Sequence, residues 1–409
     1  MHAIGNRKLF MSGNVPNKIL QYGILALSVS SVGQWLSLPI GPTILWWAFY
    51  ALMIWTMIRS WDKSYIPFWL IAWMLFILIS SAAGTQYCRD YWDWKMLVGH
   101  GFGYAICLTA LAAYDPERLQ QILGFLYKHF WKIFILLALF LSSDGISKFM
   151  LPISFLAIFY PILNKKYRRY VLAGLLITLI FGYDGRADII KSLFCVGVGL
   201  FSLRYDTAKY ARRYYWVLYI LPFLLFILAA NGTFNIFTIG ESMSVNGGET
   251  GRITMADSRT ALYEDVIETN VQRGTILFGG TPARGYFSRW MVEVGDNSDI
   301  LGDLHYGERG GSESSVLNVF LHFGIVGLLI YMMVFWRASY MAIFMSNNVY
   351  IPIVGLCVAF RFLIGWIEDF DRFDLNMFML WMMIGMCYSP YFREMSDDDF
   401  CEWFDNVMV

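Results

Sequence analysis

The sequence is short of charge. Only 15% of its 409 residues are charged, whereas about a quarter of a soluble domain is, so an ordinary soluble protein is excluded. The net charge is zero, which excludes a global field toward nucleic acid, and nucleic acid is not an expected partner. The chain is instead 57% hydrophobic. Its apolar residues form runs of roughly 17 to 22, which match the ~20 residues needed to cross a bilayer.

Patterns for metals and disulfides are also missing. The six cysteines are scattered and include no C-x-x-C, so isolated thiols are predicted. His305 and His322 belong to no cluster of ligands, which makes them ordinary loop and helix residues, and no metal or cofactor is expected. The N-terminal segment lacks a signal-peptide core, and the first apolar run lacks a cleavage site, so that run is predicted to remain as a helix.

The apolar runs predict transmembrane helices, because backbone groups in a bilayer need internal partners and the runs do not alternate in polarity. Twelve spans are predicted, at residues 19–37, 42–58, 65–83, 96–113, 122–142, 147–163, 170–183, 187–203, 214–230, 316–336, 349–367 and 374–390. The fold class is therefore all-α, a polytopic membrane helix bundle with one long, partly helical extracytoplasmic loop. Residues 1–230 hold helices 1–9, residues 231–315 the loop, residues 316–390 helices 10–12, and residues 391–409 an acidic tail.

Lysine and arginine indicate the orientation. They concentrate in alternate connections, such as residues 164–169 and 204–213, which the positive-inside rule assigns to the cytoplasm. Both termini are then predicted to be cytoplasmic, and residues 231–315 to lie on the outer face of the membrane. The acidic tail is predicted to be a solvated end.

The long loop is the only long polar segment. It has 85 residues, no lysine and six arginines, which are Arg252, Arg259, Arg273, Arg284, Arg289 and Arg309. A guanidinium fork suits bidentate capture of phosphate better than an ammonium does. A helix is predicted from about 257 to 271, capped by Asp257 or Ser258. This helix puts Arg259 in its first turn, where free N–H groups and the helix dipole favour an anion.

Glu313 is the candidate general base, because a carboxylate beside an apolar span is expected to lose solvent, which raises its pKa toward a useful range. The competing interpretation is a carboxylate that complements the helix dipole, with Ser312 as the helix cap. Arg252, Arg273, Arg284 and Arg289 are secondary candidates whose simpler interpretation is a surface or ion-pair role.

Two further cations lie near the outer ends of predicted spans. Arg361 stands inside the eleventh span, where an ionisable group is costly and indicates function. It could pair with Asp188, Glu368 or Asp369, or bind a lipid phosphate. Lys191 follows Arg186 by just over one helical turn and is expected to share its role. The competing interpretation of Arg186 is an interfacial anchor.

A family resemblance rests on the order of these motifs. Arg186 begins a helix at its outer end, Ser258-Arg259 and Gly279-Gly280 follow in the loop, and residues 313–328 read ESSVLNVFLHFGIVGL. Over residues 176–337 the chain resembles the bacterial O-antigen polymerase and O-antigen ligase superfamily. The resemblance implies a glycosyltransferase that uses undecaprenyl-diphosphate-linked oligosaccharide on the outer face of the inner membrane, with Arg186 and Arg259 binding the diphosphate.

The expected function is therefore polymerisation of a surface polysaccharide of O-antigen or capsule type. Glu313, Arg259 and Arg186 are the predicted catalytic residues, and Arg361 and Lys191 are predicted to join the two arginines in binding the diphosphate. Ligases of the family commonly carry His-Asn where this chain has Glu313-Ser314, which favours a polymerase. Membrane lipid and a chain-length regulator protein are further candidate partners.

Three alternatives remain open. A ligase would transfer finished glycan to lipid A core or to a protein. A transporter of lipid-linked oligosaccharide would show charges along a central cavity and related halves. A scaffold protein would leave the arginine-only loop unexplained.

Overall fold

The computed structural model describes residues 14–37, 40–61, 67–182, 186–231, 259–289, 304–305, 307–368 and 372–408, and these residues are mostly helical. Before the long loop the helices are α1 (Asn14–Ser30), α2 (Thr43–Arg59), α3 (Phe68–Gly84), α4 (Tyr91–Ala105), α5 (Thr109–Ala112), α6 (Pro116–Ala138), α7 (Ser143–Ala157), α8 (Lys165–Phe181), α9 (Arg186–Phe201) and α10 (Thr207–Ala230). Short 3-10 turns occupy Gly33–Trp35, Thr85–Tyr87 and Ile106–Leu108.

The long loop contributes α11 (Arg259–Gln272) and three short strands, β1 (Tyr286–Phe287), β2 (Leu304–His305) and β3 (Glu308–Arg309). The strands form an antiparallel sheet in the order β1-β3-β2. After the loop come α12 (Ser315–Phe344), α13 (Tyr350–Ile364), α14 (Leu375–Tyr388), α15 (Pro390–Glu394) and α16 (Asp397–Val407). The helix expected near residues 257–271 is therefore present as α11, whereas its candidate caps Asp257 and Ser258 lie outside the described residues.

Helices occupy parts of all twelve segments predicted as spans. Among the described residues, five stretches are long and apolar enough to cross a membrane: Phe68–Tyr87, Tyr91–Ala112, Pro116–Ala138, Thr207–Ala229 and Ser315–Phe344. Helices α2, α13 and α14 are apolar but shorter. These helices indicate a membrane protein. The first span was predicted to end at residue 37, whereas α1 ends at Ser30. The total of twelve crossings stays a prediction.

The core lies around α12, α13 and α14. Helix α12 packs against α13, α14 and α3, and α13 also packs against α10. Trp73, Phe335 and Phe362 are buried there, and the rings of the two phenylalanines lie 5.7 Å apart. Large apolar side chains on α3, α8 and α10 face outward. Packing between helices in a bilayer depends on close van der Waals contact, because lipid tails are as apolar as the side chains.

Helix α12 is interrupted at Gly324, which has φ 66° and ψ −166°. Residues 276–281 of the loop run through the gap and exchange four backbone hydrogen bonds with residues 321–326, at 2.8 to 3.1 Å. A Cβ on Gly279 or on Gly324 would overlap the opposite backbone, and both residues have positive φ. Glycine is therefore required on each side of the contact. The span predicted for residues 316–336 lies within Ser315–Phe344, which is long and apolar enough to cross a membrane, whereas its interruption at Gly324 was not predicted.

The acidic tail is an ordered helix. Ser396 and Asp399 form a capping box at the start of α16. On the opposite face, Phe400 and Phe404 contact the ring of Phe159 at centroid distances of 5.4 and 4.9 Å, and the indole of Trp403 donates to the carbonyl of Pro116 at 2.8 Å. The expectation of a solvated end is wrong for this apolar face.

Candidate functional site

Helix α13 ends in a short segment, residues 365–368, which we call the α13 terminus. Carbonyl groups in the last turn of a helix lack partners within the helix. In the residues that directly follow α13, three backbone carbonyls accept hydrogen bonds from other parts of the chain. Ser315 and Val316, at the start of α12, donate their N–H groups to the carbonyls of Glu368 and Gly365, both at 3.0 Å. The hydroxyl of Ser314 also donates to the carbonyl of Gly365, at 3.2 Å.

The loop helix reaches the same segment. The hydroxyl of Tyr263, one turn into α11, donates to the carbonyl of Trp366 at 2.6 Å. Phe226 at the end of α10 contacts the rings of both Tyr263 and Trp366. These contacts hold the beginning of α11 against the end of α13.

Helix α9 reaches the α13 terminus through charge. The ammonium of Lys191 lies 2.8 Å from the carboxylate of Glu368 and 2.6 Å from that of Asp188. Lys148 of α7 approaches Asp188 at 3.5 Å. The side chain of Lys191 is only 5% exposed and that of Asp188 1%. A buried charge needs such partners, because losing water is costly.

The α13 terminus thus gathers three elements that carry sequence-predicted residues. Arg186 begins α9, two residues before Asp188. Arg259 begins α11, four residues before Tyr263, and Glu313 precedes the cap of α12. The side chains of Arg186 and Arg259 lie outside what the structure describes, so only their backbones are placed.

Glu313 does not have the buried setting expected from its sequence position. Its side chain is 55% exposed and lies 3.3 Å from a guanidinium nitrogen of Arg309. The cap of α12 is Ser314, whose hydroxyl accepts the N–H of Leu317. The prediction of Ser312 as the cap was wrong, since Ser312 is instead hydrogen-bonded to the amide oxygen of Asn318.

Arg361 and Lys191 line one small cavity, of about 40 Å³, between α7, α9, α13 and α14. The cavity has room for a few water molecules at most, because each needs ~10–15 Å³. The two cations thus lie beside the same cavity, and their predicted role in binding a diphosphate stays a prediction. Of the carboxylates predicted as partners of Arg361, Asp188 and Glu368 bind Lys191, and Asp369 lies outside the described residues.

The secondary arginines of the loop have partners within the loop. Glu308 is buried and binds Arg273 at 2.8 Å and Arg284 at 2.6 Å, and it also accepts the N–H of Gly285. Burial lowers the pKa of Arg273, whereas the hydrogen bond to Glu308 raises the pKa of Arg284. Both guanidinium groups stay charged at any physiological pH. They therefore hold the loop together.

Arg289 has a similar role nearer the surface. It lies 3.0 Å from Asp265 and 2.6 Å from Glu268 of α11, and the hydrogen bond to Asp265 raises its pKa. Arg252 lies outside the described residues. Within the part of the chain that the structure describes, no group of three or more His, Cys, Asp and Glu side chains is placed to hold a metal ion.

Two features of the site were not predicted. Glu308 was overlooked because a single glutamate in a polar loop carries no pattern. The second feature is the environment of His322, whose ring nitrogen lies 2.8 Å from the hydroxyl of Tyr104 and whose ring lies 4.6 Å from that of His100. The glycines at 324 and 327, inside an apolar run, were the signal for the helix interruption beside it.

The apolar helices indicate that the chain is a helical membrane protein. Buried ion pairs connect the ends of two of its helices at the α13 terminus. Comparison with protein-family models and with curated protein sequences found no match. The family resemblance therefore stays a hypothesis, and function is argued from the geometry.

Proposed function

We propose that this protein is a metal-independent glycosyltransferase that polymerises a surface polysaccharide. It transfers a growing glycan from undecaprenyl diphosphate to the acceptor sugar of another lipid-linked repeat unit. The proposed setting is the bacterial inner membrane, with twelve spans, both termini in the cytoplasm and the long loop outside.

One observation carries the proposal. The starts of α9, α11 and α12 all contact residues 365–368, through Lys191, Tyr263 and Ser315. Arg186, Arg259 and Glu313 precede those three contact residues by five, four and two positions in the sequence. The helices that begin with Arg186 and Arg259, and the helix that follows Glu313, thus all contact a single segment. A site for a diphosphate and an acceptor hydroxyl needs such a gathering of cations and a carboxylate.

The proposed chemistry is a direct displacement. The acceptor hydroxyl oxygen attacks the anomeric carbon, the bond from that carbon to the diphosphate oxygen breaks, and the configuration inverts. Arg186 and Arg259 stabilise the charge that develops on the leaving diphosphate, because fixed donors are most effective where charge appears. Glu313 takes the proton of the hydroxyl. Its carboxylate is exposed, so an acceptor from outside can reach it, and burial is not what would make it a base.

Lys191 is proposed as a positioning residue. Its ammonium is already bound to Asp188 and Glu368, so it joins α9 to the α13 terminus. Arg361 remains the candidate for a further contact with the diphosphate from the membrane side.

A transporter of lipid-linked oligosaccharide is the second candidate, because an interrupted helix such as α12 is also found in transporters. Interrupted helices in transporters expose backbone groups to the substrate. In α12, residues 276–281 of the loop bind the backbone around Gly324. Because those hydrogen bonds occupy the backbone groups that a transported substrate would contact, we favour the polymerase over the transporter. A ligase differs from a polymerase in its acceptor alone.

The test replaces the two proposed reacting groups in cells that lack the native gene. Glu313→Gln should lower chain growth by about 10²- to 10⁴-fold, the usual contribution of a general base. Arg259→Lys keeps the charge but loses the fork, and should lower chain growth by about 10²-fold. The measurement is polymer length on the cell surface, alongside the amount of protein in the membrane.

Arg289→Lys is the matched control, because Arg289 is a loop arginine whose carboxylate partners lie within the loop. It should give polymer of normal length. Full-length polymer from Glu313→Gln would remove Glu313 from the reaction. Deletion should leave single repeat units on the surface; long lipid-linked chains that never reach their anchor would identify a ligase instead.

A further inference from the structure

A second, larger pocket opens between α1, α2, α4 and α14. Its volume is about 240 Å³. Four aromatic side chains line it, Trp47 and Tyr50 from α2, Phe102 from α4 and Phe373 before α14. The ring of Tyr50 lies 4.5 Å from that of Phe373 and 5.9 Å from that of Phe102, so one aromatic wall runs across three elements.

Hydrogen bonds between side chains and backbone groups position the elements that line the pocket. The hydroxyl of Ser31, at the end of α1, accepts the N–H of Leu375 at 2.6 Å and donates to the carbonyl of Leu27 at 2.6 Å. Asp374 caps α14 through the N–H of Met377 at 2.7 Å. The beginning of α14 is thereby fixed against α1. A pocket formed in advance binds with less loss of conformational freedom.

Polar groups complete the lining. Gln34, Arg372 and Asp374 line the pocket together with the aromatic side chains. Together they present an amide, a guanidinium and a carboxylate, which can both donate and accept hydrogen bonds. A wall of aromatic rings beside a few polar groups is typical of a small-molecule site.

We propose that this pocket binds one sugar ring of a glycan, at its acceptor end. A sugar ring has C–H groups on its faces, which pack against aromatic rings, and hydroxyls around its edge, which need donors and acceptors. The volume lies below the ~300–1,000 Å³ of sites for drug-sized ligands, which fits a single ring better than a lipid tail or an oligosaccharide.

The location relates the pocket to the candidate active site. Arg372, Phe373 and Asp374 line the pocket, and Glu368, only four residues before Arg372, binds Lys191. The chain between α13 and α14 therefore contains the α13 terminus at residues 365–368 and three residues of the pocket at 372–374. The assignment of the ring as an acceptor rests on the proposed polymerase function; the binding of a sugar does not.

The experiment fills the pocket without disturbing the fold. Gly99 lies in α4, lines the pocket, and has open space where a Cβ would be. Leucine favours a helix more than glycine does, so Gly99→Leu should fold. Gly197→Leu is the matched control, because Gly197 is also helical and exposed with open space around it, but lies in α9.

The probe is the repeat-unit oligosaccharide freed from its lipid carrier by mild acid, titrated by calorimetry into the full-length protein in nanodiscs. Gly99→Leu should weaken binding by about tenfold or more through steric exclusion, and Gly197→Leu should bind as the wild type does. Trp47→Ala should also weaken binding, whereas Trp55→Ala on the same helix should not.

Three results would overturn the proposal: no oligosaccharide binding by the wild type, unchanged binding by Gly99→Leu, or inorganic pyrophosphate competing for the pocket. The proposed function fails separately. If Glu313→Gln and Arg259→Lys polymerise normally while Gly99→Leu loses the oligosaccharide, the sugar pocket stands and the polymerase does not.

Discussion

Two groups of buried charges invite comparison. In the loop, one carboxylate, Glu308, lies between two arginines, and the pair Arg284–Glu308 is separated by only 24 residues. At the α13 terminus, one ammonium, Lys191, lies between two carboxylates, and Lys191 and Glu368 are 177 residues apart. The loop group joins the loop to itself, whereas the group at the α13 terminus joins α9 to α13.

The difference indicates what each group does. The arginines of the loop group belong to a folded unit that also contains α11 and the small sheet. Their ion pairs with Glu308 stabilise that unit. The group at the α13 terminus joins α9, which begins with Arg186, to Glu368, whose backbone carbonyl accepts the N–H of Ser315 at the start of α12. Substitutions in the two groups should therefore have different consequences for stability and for chain growth.

The largest effect is expected from Lys191→Met. It leaves Asp188 and Glu368 without the ammonium that lies between them, and breaking a buried ion pair on one side costs about 3–5 kcal/mol. The free energy of unfolding, measured by titrating SDS into micelles that hold the protein, should fall by that amount, and chain growth should be lost. Lys209→Met, at an exposed lysine of α10, is the control; an equal loss in both variants would contradict a role for the buried group.

A smaller effect is expected from Glu308→Gln. It leaves Arg273 and Arg284 without a carboxylate, but Gln keeps an acceptor oxygen and the side chain of Arg284 is 28% exposed. The cost should be about 2 kcal/mol, below that of a fully buried pair. Hydrogen exchange should speed up in residues 273–289 while the helices away from the loop stay protected. Glu268→Gln on the exposed face of α11 is the control, and faster exchange throughout the protein would show that the loop is not a separate unit.

The smallest effect is expected from Arg289→Gln. The side chain of Arg289 is 58% exposed, and Asp265 keeps its hydrogen bond from the backbone N–H of residue 289. Exposed ion pairs contribute little to stability. The temperature of unfolding should be nearly unchanged, and polymer length should be normal. A marked loss in either measurement would mean that the surface of α11 takes part in the site.

Much of the secondary structure could be predicted. Continuous apolar runs placed a helix in every predicted segment, and the polar stretch that begins near residue 257 was correctly predicted to form a helix with Arg259 in its first turn. Local patterns suffice there because helix formation depends on neighbouring residues. The twelve crossings and the outer position of the loop depend on the membrane and stay predictions.

Three predictions about the segment around α12 need correction. An apolar run containing Gly324 was predicted as one helix, but residues 276–281 break it by supplying other backbone partners. Ser312 was predicted to cap α12, but Asn318 binds it. Glu313 was expected to be buried, but the chain turns so that it faces solvent beside Arg309. Only at Gly324 did a contact between distant segments outweigh the local pattern; Ser312 and Glu313 instead contact Asn318 and Arg309, which are six and four residues away in the sequence.

By itself, the sequence determined that this chain folds into apolar helices with one arginine-rich, lysine-free loop, since runs without polar side chains must satisfy their backbone groups internally. Only the tertiary structure decided which helix ends meet. The carbonyl groups at the end of α13 have no partner within their own helix, and folding brings Tyr263 and Ser315 to them and Lys191 to Glu368 beside them. These contacts join residues that are far apart in the sequence, so no local pattern could have predicted them.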